Sequence, residues 1–573
     1  MASVEPGKTG TEPTKHVESA AGDEGTKSGP DSPGRNGSTA LAMALAEENP
    51  RPFRKSFLKL YLCLAVAYMC SSTNGFDANT FGGLSAEPEF ARYFNLTAQN
   101  NGAVVALYVV GQITGCLFAG PLSDRYGRRF GMGVGSTICI IGAAVQAAAR
   151  TRQDLMAGRF VLGIGSVIAN SSGPAYVVEM AYPKYRGFLT GLYQAFFFCG
   201  TIGTTWLEFG LSYLPGDSVV AWRLPLAIQA VPSIILLIGV WFIPETPRWW
   251  MAQDRHDKAR EILVKYHGDG NADSSIVRLE MEEMLQVVST SGSDKRWWDF
   301  RDLFSTPGAR YRIMLVILVA WFSEIELPPT SYYLPLMVKT VGITSVKIQL
   351  LLNAVQTPLM MISSLTGLCL IDRLGRRTLL MTGSILMAIS LSIITACTAQ
   401  HEGRPVVSGV GIAFLYIFLA VFAFCWVPIL SSPKLHTTYC IHKMLTSSVQ
   451  VPNQALYPSE ILAFNSRGKG LAFYNLARDI VLVINTYVPP VAIANVSWRF
   501  YIFYIVVDFF GAVAVYFLFV ETRGWSLEEI EAIFNSPSPK NASLQSRDVM
   551  FANTAIDVEE SAADQKQTVM HAI

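Results

Sequence analysis

Long runs of apolar residues with almost no charge constrain this chain more than any other feature. Val104–Gly120, Ile313–Trp321, Leu379–Ala396, Ile412–Trp426 and Phe500–Val520 are examples. Lipid offers the backbone no hydrogen-bond partners, so a spanning segment must be a helix or part of a closed barrel. These runs alternate too little and last too long for barrel strands. A helix crosses a hydrocarbon core about 30 Å thick with roughly 20 apolar residues. The runs allow about twelve crossings, near 57–79, 101–121, 131–149, 155–175, 188–211, 223–243, 312–337, 348–371, 378–397, 408–428 continuing at 451–459, 470–492 and 499–520. The expected fold is an all-α membrane protein with twelve transmembrane helices in two pseudo-symmetric six-helix halves.

The rest of the chain is polar. Residues 1–56 are rich in Gly, Ser, Glu, Thr and Pro, without an early apolar run, and read as a disordered cytosolic tail rather than a signal peptide. Residues 57–243 form the first half, 244–311 a cytosolic linker, 312–520 the second half and 521–573 a cytosolic tail. Within the linker, Asp257–Tyr266 and Ser275–Val288 carry helical periodicity. Ser526-Leu527-Glu528-Glu529 is a capping box that starts a short helix. Composition agrees with a membrane class: 51% of residues are hydrophobic and 16% charged. The net charge of +1 points to no nucleic-acid partner. The nine cysteines are scattered through apolar runs without a C-x-x-C pair, which suggests packing rather than disulfides or a metal.

Basic residues give the orientation. Arg51, Arg54, Lys55, Arg125, Arg128, Arg129, Lys184, Arg186, Arg373, Arg376, Arg377, Arg467 and Lys469 fall on one side if both termini are cytosolic. Arg150 and Arg152 are the exceptions. The sequon Asn95-Leu96-Thr97 then faces outward, either glycosylated or unused.

One motif occurs twice. Asp124-Arg125-Tyr126-Gly127-Arg128-Arg129 lies between spans two and three, and Asp372-Arg373-Leu374-Gly375-Arg376-Arg377 between spans eight and nine. One copy per six spans, with a site between fused halves, is the plan of secondary transporters. In each loop the glycine allows a sharp turn, the aspartate can cap the next helix, and the arginines can pair with acids of neighbouring helices. Simple positive-inside anchoring is the alternative. A cytosolic latch is expected from Asp124, Arg125, Arg128, Arg129, Glu179, Arg186, Glu245 and Arg248 in one half, and Asp372, Arg373, Arg376, Arg377, Glu460, Arg467, Glu521 and Arg523 in the other. Asp77, near the end of span one, is an acid inside the membrane and therefore a functional candidate; capping a helix at the interface is the alternative.

The chain resembles the sugar-porter branch of the major facilitator superfamily over about 57–535. Besides the paired loops, the matching elements are Gly158-Arg159-Phe160, Pro244-Glu245-Thr246-Pro247-Arg248, Tyr457-Pro458-Ser459-Glu460, Arg467-Gly468-Lys469-Gly470 and Glu521-Thr522-Arg523-Gly524. Pro183-Lys184-Tyr185-Arg186-Gly187 and Ser331-Tyr332-Tyr333-Leu334-Pro335 look most like fungal lactose-permease-like and hexose transporters. The resemblance implies transport of a mono- or disaccharide by alternating access, coupled to a proton through Asp77 and Arg159. It also implies substrate contacts at Gln194, Tyr332 and Tyr333, with family glutamine positions falling on Phe322 and Ser323. Asn353, Gln356, Asn475 and Asn485 are further amides, suited to sugar hydroxyls or to helix–helix contact.

Three features depart from that pattern. Span seven carries Glu324, Glu326, Pro328 and Pro329, where proline can break the helix and acids can hold a cation or another cargo. Span eleven carries Arg478-Asp479, an internal neutralising pair on the simplest reading. Val427–Gln450 inserts Lys434, His436, His442 and Lys443 into span ten. Valine codons begin GT, Gln450 allows a terminal CAG and Leu445-Thr446 allows CTAAC, so the segment reads as a translated fungal-type intron; a re-entrant insert is the alternative. A non-sugar metabolite transporter and a non-transporting sugar sensor remain alternative functions. No nucleophile–base constellation or phosphate loop suggests an enzyme. No cofactor or metal is expected, and the protein is expected to act as a monomer in the plasma membrane.

Overall fold

The computed structural model describes Glu48 and residues 54–214, 218–291, 301–325, 330–340, 342–400, 404–431, 456–462, 467–523, 527–536 and 538–544. Among these the regular structure is entirely helical. Nine stretches are long and apolar enough to cross a membrane by length and composition, and one of them, Lys469–Leu518, covers two helices.

The first half contains α1 (Lys55–Leu84), the short α2 (Pro88–Tyr93), α3 (Ala98–Tyr126), α4 (Arg128–Ala147), α5 (Arg152–Met180) and α6 (Arg186–Leu211). Its sixth span is two pieces, α7 (Val220–Ile228) and α8 (Ala230–Val240), where a continuous helix is expected at 223–243. Pro232 lacks the N–H that would reach the Ile228 carbonyl, and the two pieces meet at Gln229. Side chains fix other starts. Thr151 accepts the Asp154 N–H while the Asp154 carboxylate accepts the Thr151 N–H, a capping box that begins α5.

The linker holds α9 (Pro247–Ala252), α10 (His256–Tyr266) and α11 (Ser275–Ser291). The second half contains α12 (Pro307–Ile325), α13 (Thr330–Thr340), α14 (Val346–Leu374), α15 (Arg376–Ala399), α16 (Pro405–Ser431), α17 (Leu456–Ile461), α18 (Arg467–Val496) and α19 (Phe500–Leu518). Span seven is described as α12 and α13; residues 326–329, with Pro328 and Pro329, lie outside the described residues. The helix of span ten runs five residues into the suspected insert, to Ser431; residues 432–455 lie outside the described part. Two further helices, α20 (Leu527–Asn535) and α21 (Pro539–Leu544), occupy the expected tail. Ile530, Ile533 and Phe534 of α20 are buried in the core of the second half.

Packing repeats with the sequence. In the first half α4 packs on α5, α3 on α5, α1 on α6 and α4 on α8. Six spans later α15 packs on α16, α14 on α16, α12 on α18 and α15 on α19. By these pairings α6 holds the fifth place and α12 with α13 the seventh. The halves meet where α3 touches α18, α6 touches α14 and α1 touches α13.

Candidate functional site

Both D-R-x-G-R-R motifs lie on one face of the bundle, and each builds a closed cluster. In the first half Gly127 turns the chain with φ +103° and α4 begins at the next residue. The free N–H groups of that first turn point at Glu245, which follows the sixth span. Its carboxylate accepts the Arg128 N–H at 3.0 Å and the Arg129 N–H at 3.1 Å. A carboxylate at a helix N-terminus is favoured by the unsatisfied amides and by the helix dipole. Burial raises the Glu245 carboxyl above its ordinary value, opposed by the amides of Thr246, Arg129 and Arg128. The Arg128 guanidinium pairs with Glu179 at the end of α5 at 3.2 Å and with Asp124 at 3.2 Å. Thr246 donates to the other Glu179 oxygen at 2.5 Å, and Arg129 donates to the Trp241 carbonyl at 3.2 Å.

The second half repeats this arrangement. Gly375 has φ +87°. Glu521 accepts the Arg376 N–H at 3.0 Å and the Arg377 N–H at 3.1 Å. Arg376 pairs with Glu460 at 3.3 Å, Thr522 donates to Glu460 at 2.6 Å, and Arg377 donates to the Tyr516 carbonyl at 2.5 Å. The first cluster ties the ends of α3, α5 and α8 to the start of α4, and the second ties α17 and the end of α19 to the start of α15. Asp124 does not cap α4, contrary to expectation: it still belongs to the last turn of α3, is exposed, and pairs with Arg128 instead. The cap is Glu245, remote in sequence.

Arg186 leaves the first cluster for the linker and pairs with Glu280 of α11 at 3.3 Å. The other Glu280 oxygen lies 2.5 Å from His267 Nδ1, and His267 Nε2 lies 3.1 Å from the Met180 carbonyl. A carboxylate and a carbonyl at the two ring nitrogens favour protons on both. Burial pushes the imidazole down, but Glu280 and the Met180 carbonyl outweigh it and hold the group above 6.5. Arg248 lies close enough for its charge to act on Arg186. Arg125 lies over the Tyr126 ring, and Arg523 is exposed with its N–H on Glu521. The side chains of Asp372, Arg373 and Arg467 lie outside the described residues.

Inside the bundle the halves differ. In the first, Asp77 lies within α1, fully buried, and neither carboxylate oxygen is hydrogen-bonded. It is seven residues from the helix end, so it is no cap. Arg159 of α5 is also fully buried, with its guanidinium over Phe81 at 4.1 Å and Tyr108 at 4.6 Å. Its charge acts on Asp77. A polar ladder runs beside it. Tyr193 donates to Asn170 at 2.9 Å, Asn170 to Ser166 at 3.3 Å, Ser166 and Tyr108 share a hydrogen bond at 2.9 Å, and Tyr108 donates to Asn74 at 3.3 Å. Sequence reasoning missed this ladder, although each member is a polar residue in an apolar run.

In the second half Arg478 of α18 sits between two acids, Asp479 at 2.9 Å and Glu324 at the end of α12 at 3.7 Å. The expected Arg478–Asp479 pair is therefore part of a triad, and span seven's unusual acid is its third member. Asn485 donates to the Glu324 carbonyl at 2.5 Å.

The expected substrate residues are spread. Tyr333 donates to the Thr486 carbonyl at 2.8 Å and is buried beside Phe81 and Trp222 of the other half. Ser323 donates back to Ala320 at 3.0 Å. Gln356 donates to Asn353 at 2.7 Å, leaving the Asn353 amide nitrogen and the Asn475 amide oxygen without hydrogen bonds. The side chains of Gln194 and Tyr332 lie outside the described residues.

Contacts between the halves lie toward the face opposite the loops. Thr205 and Thr357 share a hydrogen bond at 3.3 Å, Lys347 lies 4.7 Å over the Tyr213 ring, and a Cβ on Gly102 would stand 2.5 Å from the Tyr487 carbonyl.

Comparison with known proteins gives this arrangement a context. The family model described as sugar (and other) transporter matches residues 63–433 and 437–534. The MFS-type transporter criB of Aspergillus cristatus is 28% identical, over 82% of this chain and 93% of its own. A high-affinity glucose transporter of Kluyveromyces lactis is 27% identical, over 86% of this chain and 88% of its own. A quinate permease of Neurospora africana is 27% identical, over 92% and 98%. Among solved structures, the partially occluded inward-open xylose transporter XylE of E. coli shares the fold at a TM-score of 0.64 and 19% identity, over 82% of this chain and 99% of its own.

Proposed function

The chain belongs to the sugar (and other) transporter family and is a multi-pass membrane protein, and from that premise we propose that it carries a sugar across the plasma membrane by alternating access, coupled to a proton. The family match across both halves is the observation that carries the reading. The loop face is cytosolic on this view, with both termini beside it. The two clusters then keep each half rigid while the halves rock around the centre. Contacts concentrated on the opposite face correspond to a state closed to the outside.

Asp77 is the proton site and Arg159 its charge partner. With Asp77 ionised, attraction to Arg159 favours one arrangement of the half; with Asp77 protonated, that bias disappears. The aromatic rings of Phe81 and Tyr108 hold Arg159 while its partner is neutral. Asn353 and Asn475 supply unmatched amide groups suited to sugar hydroxyls, with Gln194, Ser323, Tyr332 and Tyr333 completing the contact set. Asn95 is exposed on the outer face and serves as a glycosylation site. The protein works as a monomer.

A second reading is a non-sugar metabolite; the quinate permease among the relatives favours it. Uptake of labelled glucose, xylose, lactose and quinate in a transporter-null host separates the readings. Accumulation of a sugar that collapses with a protonophore is expected. Quinate uptake without sugar uptake would transfer the cargo to the second reading, and accumulation indifferent to the protonophore would remove the proton. The same host should receive versions with and without 427–450. We take that segment as a translated intron, so its removal should raise uptake, and a mature transcript carrying it in translated form would refute the artefact.

A further inference from the structure

Glu208 has no part in the loop clusters or in the Asp77–Arg159 arrangement. It lies in α6, three residues from the end of that helix on the face opposite the loops, and is 4% exposed. Neither carboxylate oxygen has a hydrogen-bond partner. The carboxylate presses on Gly83 of α1, where any Cβ would collide with it. An acid buried in a membrane helix without a partner contributes nothing to packing that an apolar side chain would not supply better. Its distinctive capacity is to take up and release a proton.

The surrounding side chains lead from it to Asp77. Asp77, Thr80 and Gly83 follow one face of α1 at three-residue spacing, while Thr204 and Glu208 are one turn apart on α6. Thr80 and Thr204 are fully buried and join the two faces through a hydrogen bond of 3.2 Å. A carboxylate, a pair of hydroxyls and a second carboxylate therefore stand in order from the opposite face inward.

We propose that Glu208 is the port through which protons from the outer face reach Asp77, an inference that rests on the proton-coupled reading above. Glu208, buried in this state, takes a proton when the outer end of α6 opens to water in the transport cycle, and its carboxyl then turns to the Thr204 hydroxyl one turn away to pass the proton on. Thr204 passes its own proton to Thr80, and Thr80 passes its own to Asp77. The Thr80 hydroxyl, which donates to the Phe76 carbonyl at 2.8 Å, turns toward Asp77 for that step. One proton enters and one arrives, and Glu208 and both hydroxyls recover their starting protonation. The charged groups on the elements packed around this end of α6 are engaged elsewhere. Lys347 of α14 lies over Tyr213, Arg223 of α7 lies over Trp222 at 4.9 Å, and Arg159 of α5 lies over Phe81.

The test compares Glu208→Gln, Thr204→Val and Asp77→Asn in the full chain, using labelled D-glucose. Two readouts are taken: protonophore-sensitive accumulation, and counterflow, which needs no net proton movement. Glu208→Gln should lower accumulation by roughly tenfold or more and shift its dependence on external pH, with a much smaller effect on counterflow. Thr204→Val should reproduce the split without removing a charge. If Asp77→Asn abolishes accumulation while Glu208→Gln matches the parent, the port is wrong and the coupling reading stands. Equal losses of accumulation and counterflow in Glu208→Gln would make the residue structural. Protonophore-insensitive accumulation by the parent would remove both ideas together.

Discussion

The two halves are near copies at their loop faces and strangers in their interiors. At the loops the central contacts have counterparts at almost the same distance: Arg128–Glu179 at 3.2 Å against Arg376–Glu460 at 3.3 Å, Thr246–Glu179 against Thr522–Glu460, Glu245 against Glu521. Inside, an acid and a ring-stacked arginine in one half face an acid–arginine–acid triad in the other. Holding six helices together is the same task twice, and one solution serves both. Handling a cargo and a proton is not a symmetric task, and the interior side chains have diverged accordingly.

The sharpest way to break this contrast is to remove the centre of the triad. Arg478→Gln leaves Glu324 and Asp479 without their shared cation; Asp479 is 4% exposed but Arg478 and Glu324 are 24% and 18% exposed, so the loss should be up to about 3 kcal/mol. Asp479→Asn in the same chain should recover part of that loss. Thermal unfolding in detergent reads both. Additive losses would mean that Arg478 acts on something other than the two acids.

The likeness of the loop clusters can also be tested where burial differs. Arg376 and Glu460 are 3% and 4% exposed, whereas Arg128 and Glu179 are 18% and 11% exposed. Buried pairs are more costly to break than partly solvated ones. Arg376→Ala should therefore destabilise by about 3 kcal/mol and Arg128→Ala by about 1 kcal/mol. Equal losses would show that geometry, not burial, sets the worth of the pair. At the turns, Gly127→Ala and Gly375→Ala should each cost about 1–3 kcal/mol, because both have positive φ and both place a Cβ against the capping glutamate. Gly127 is the tighter of the two, so its substitution should cost more. The reverse order would place the constraint in the backbone rather than the glutamate.

Much of the fold was legible because lipid imposes a coarse rule. Uncharged runs of the right length had to be helices, and the repeated loop gave the two halves. Pro328 and Pro329, on which the reading of a broken span seven rests, lie outside the described residues. The interior was less legible for a physical reason. Glu245 caps a helix that begins 117 residues earlier in the chain, and no local spacing reports such a contact. The local rule assigned that task to Asp124, which remains inside the preceding helix. Glu324 and Arg478 were each noticed as misplaced charges, but 154 positions separate them, and only folding reveals that each answers the other. Asn74, Tyr108 and Ser166 carry no motif at all; their meaning lies in lining up across three helices.

The smallest effect concerns a contact that, among the described residues, is found in the first half alone, the junction of the linker with α5 and α6. His267 joins Glu280 to the Met180 carbonyl, at the C-terminal end of α5, where a cation is favoured. Its folded value lies above the ordinary 6.5, so the sign is fixed: the stabilisation is fully present below 6.5 and is lost as pH rises through the raised value. Hydrogen exchange across 256–291 should accordingly speed up on going from acidic to alkaline solution, beyond the chemical increase measured on the unfolded peptide. His267→Gln should flatten that response, because the amide has no proton to lose. Protection that stays constant in the parent, or falls with the same pH dependence in His267→Gln, would show that Arg186–Glu280 holds the linker without the imidazole.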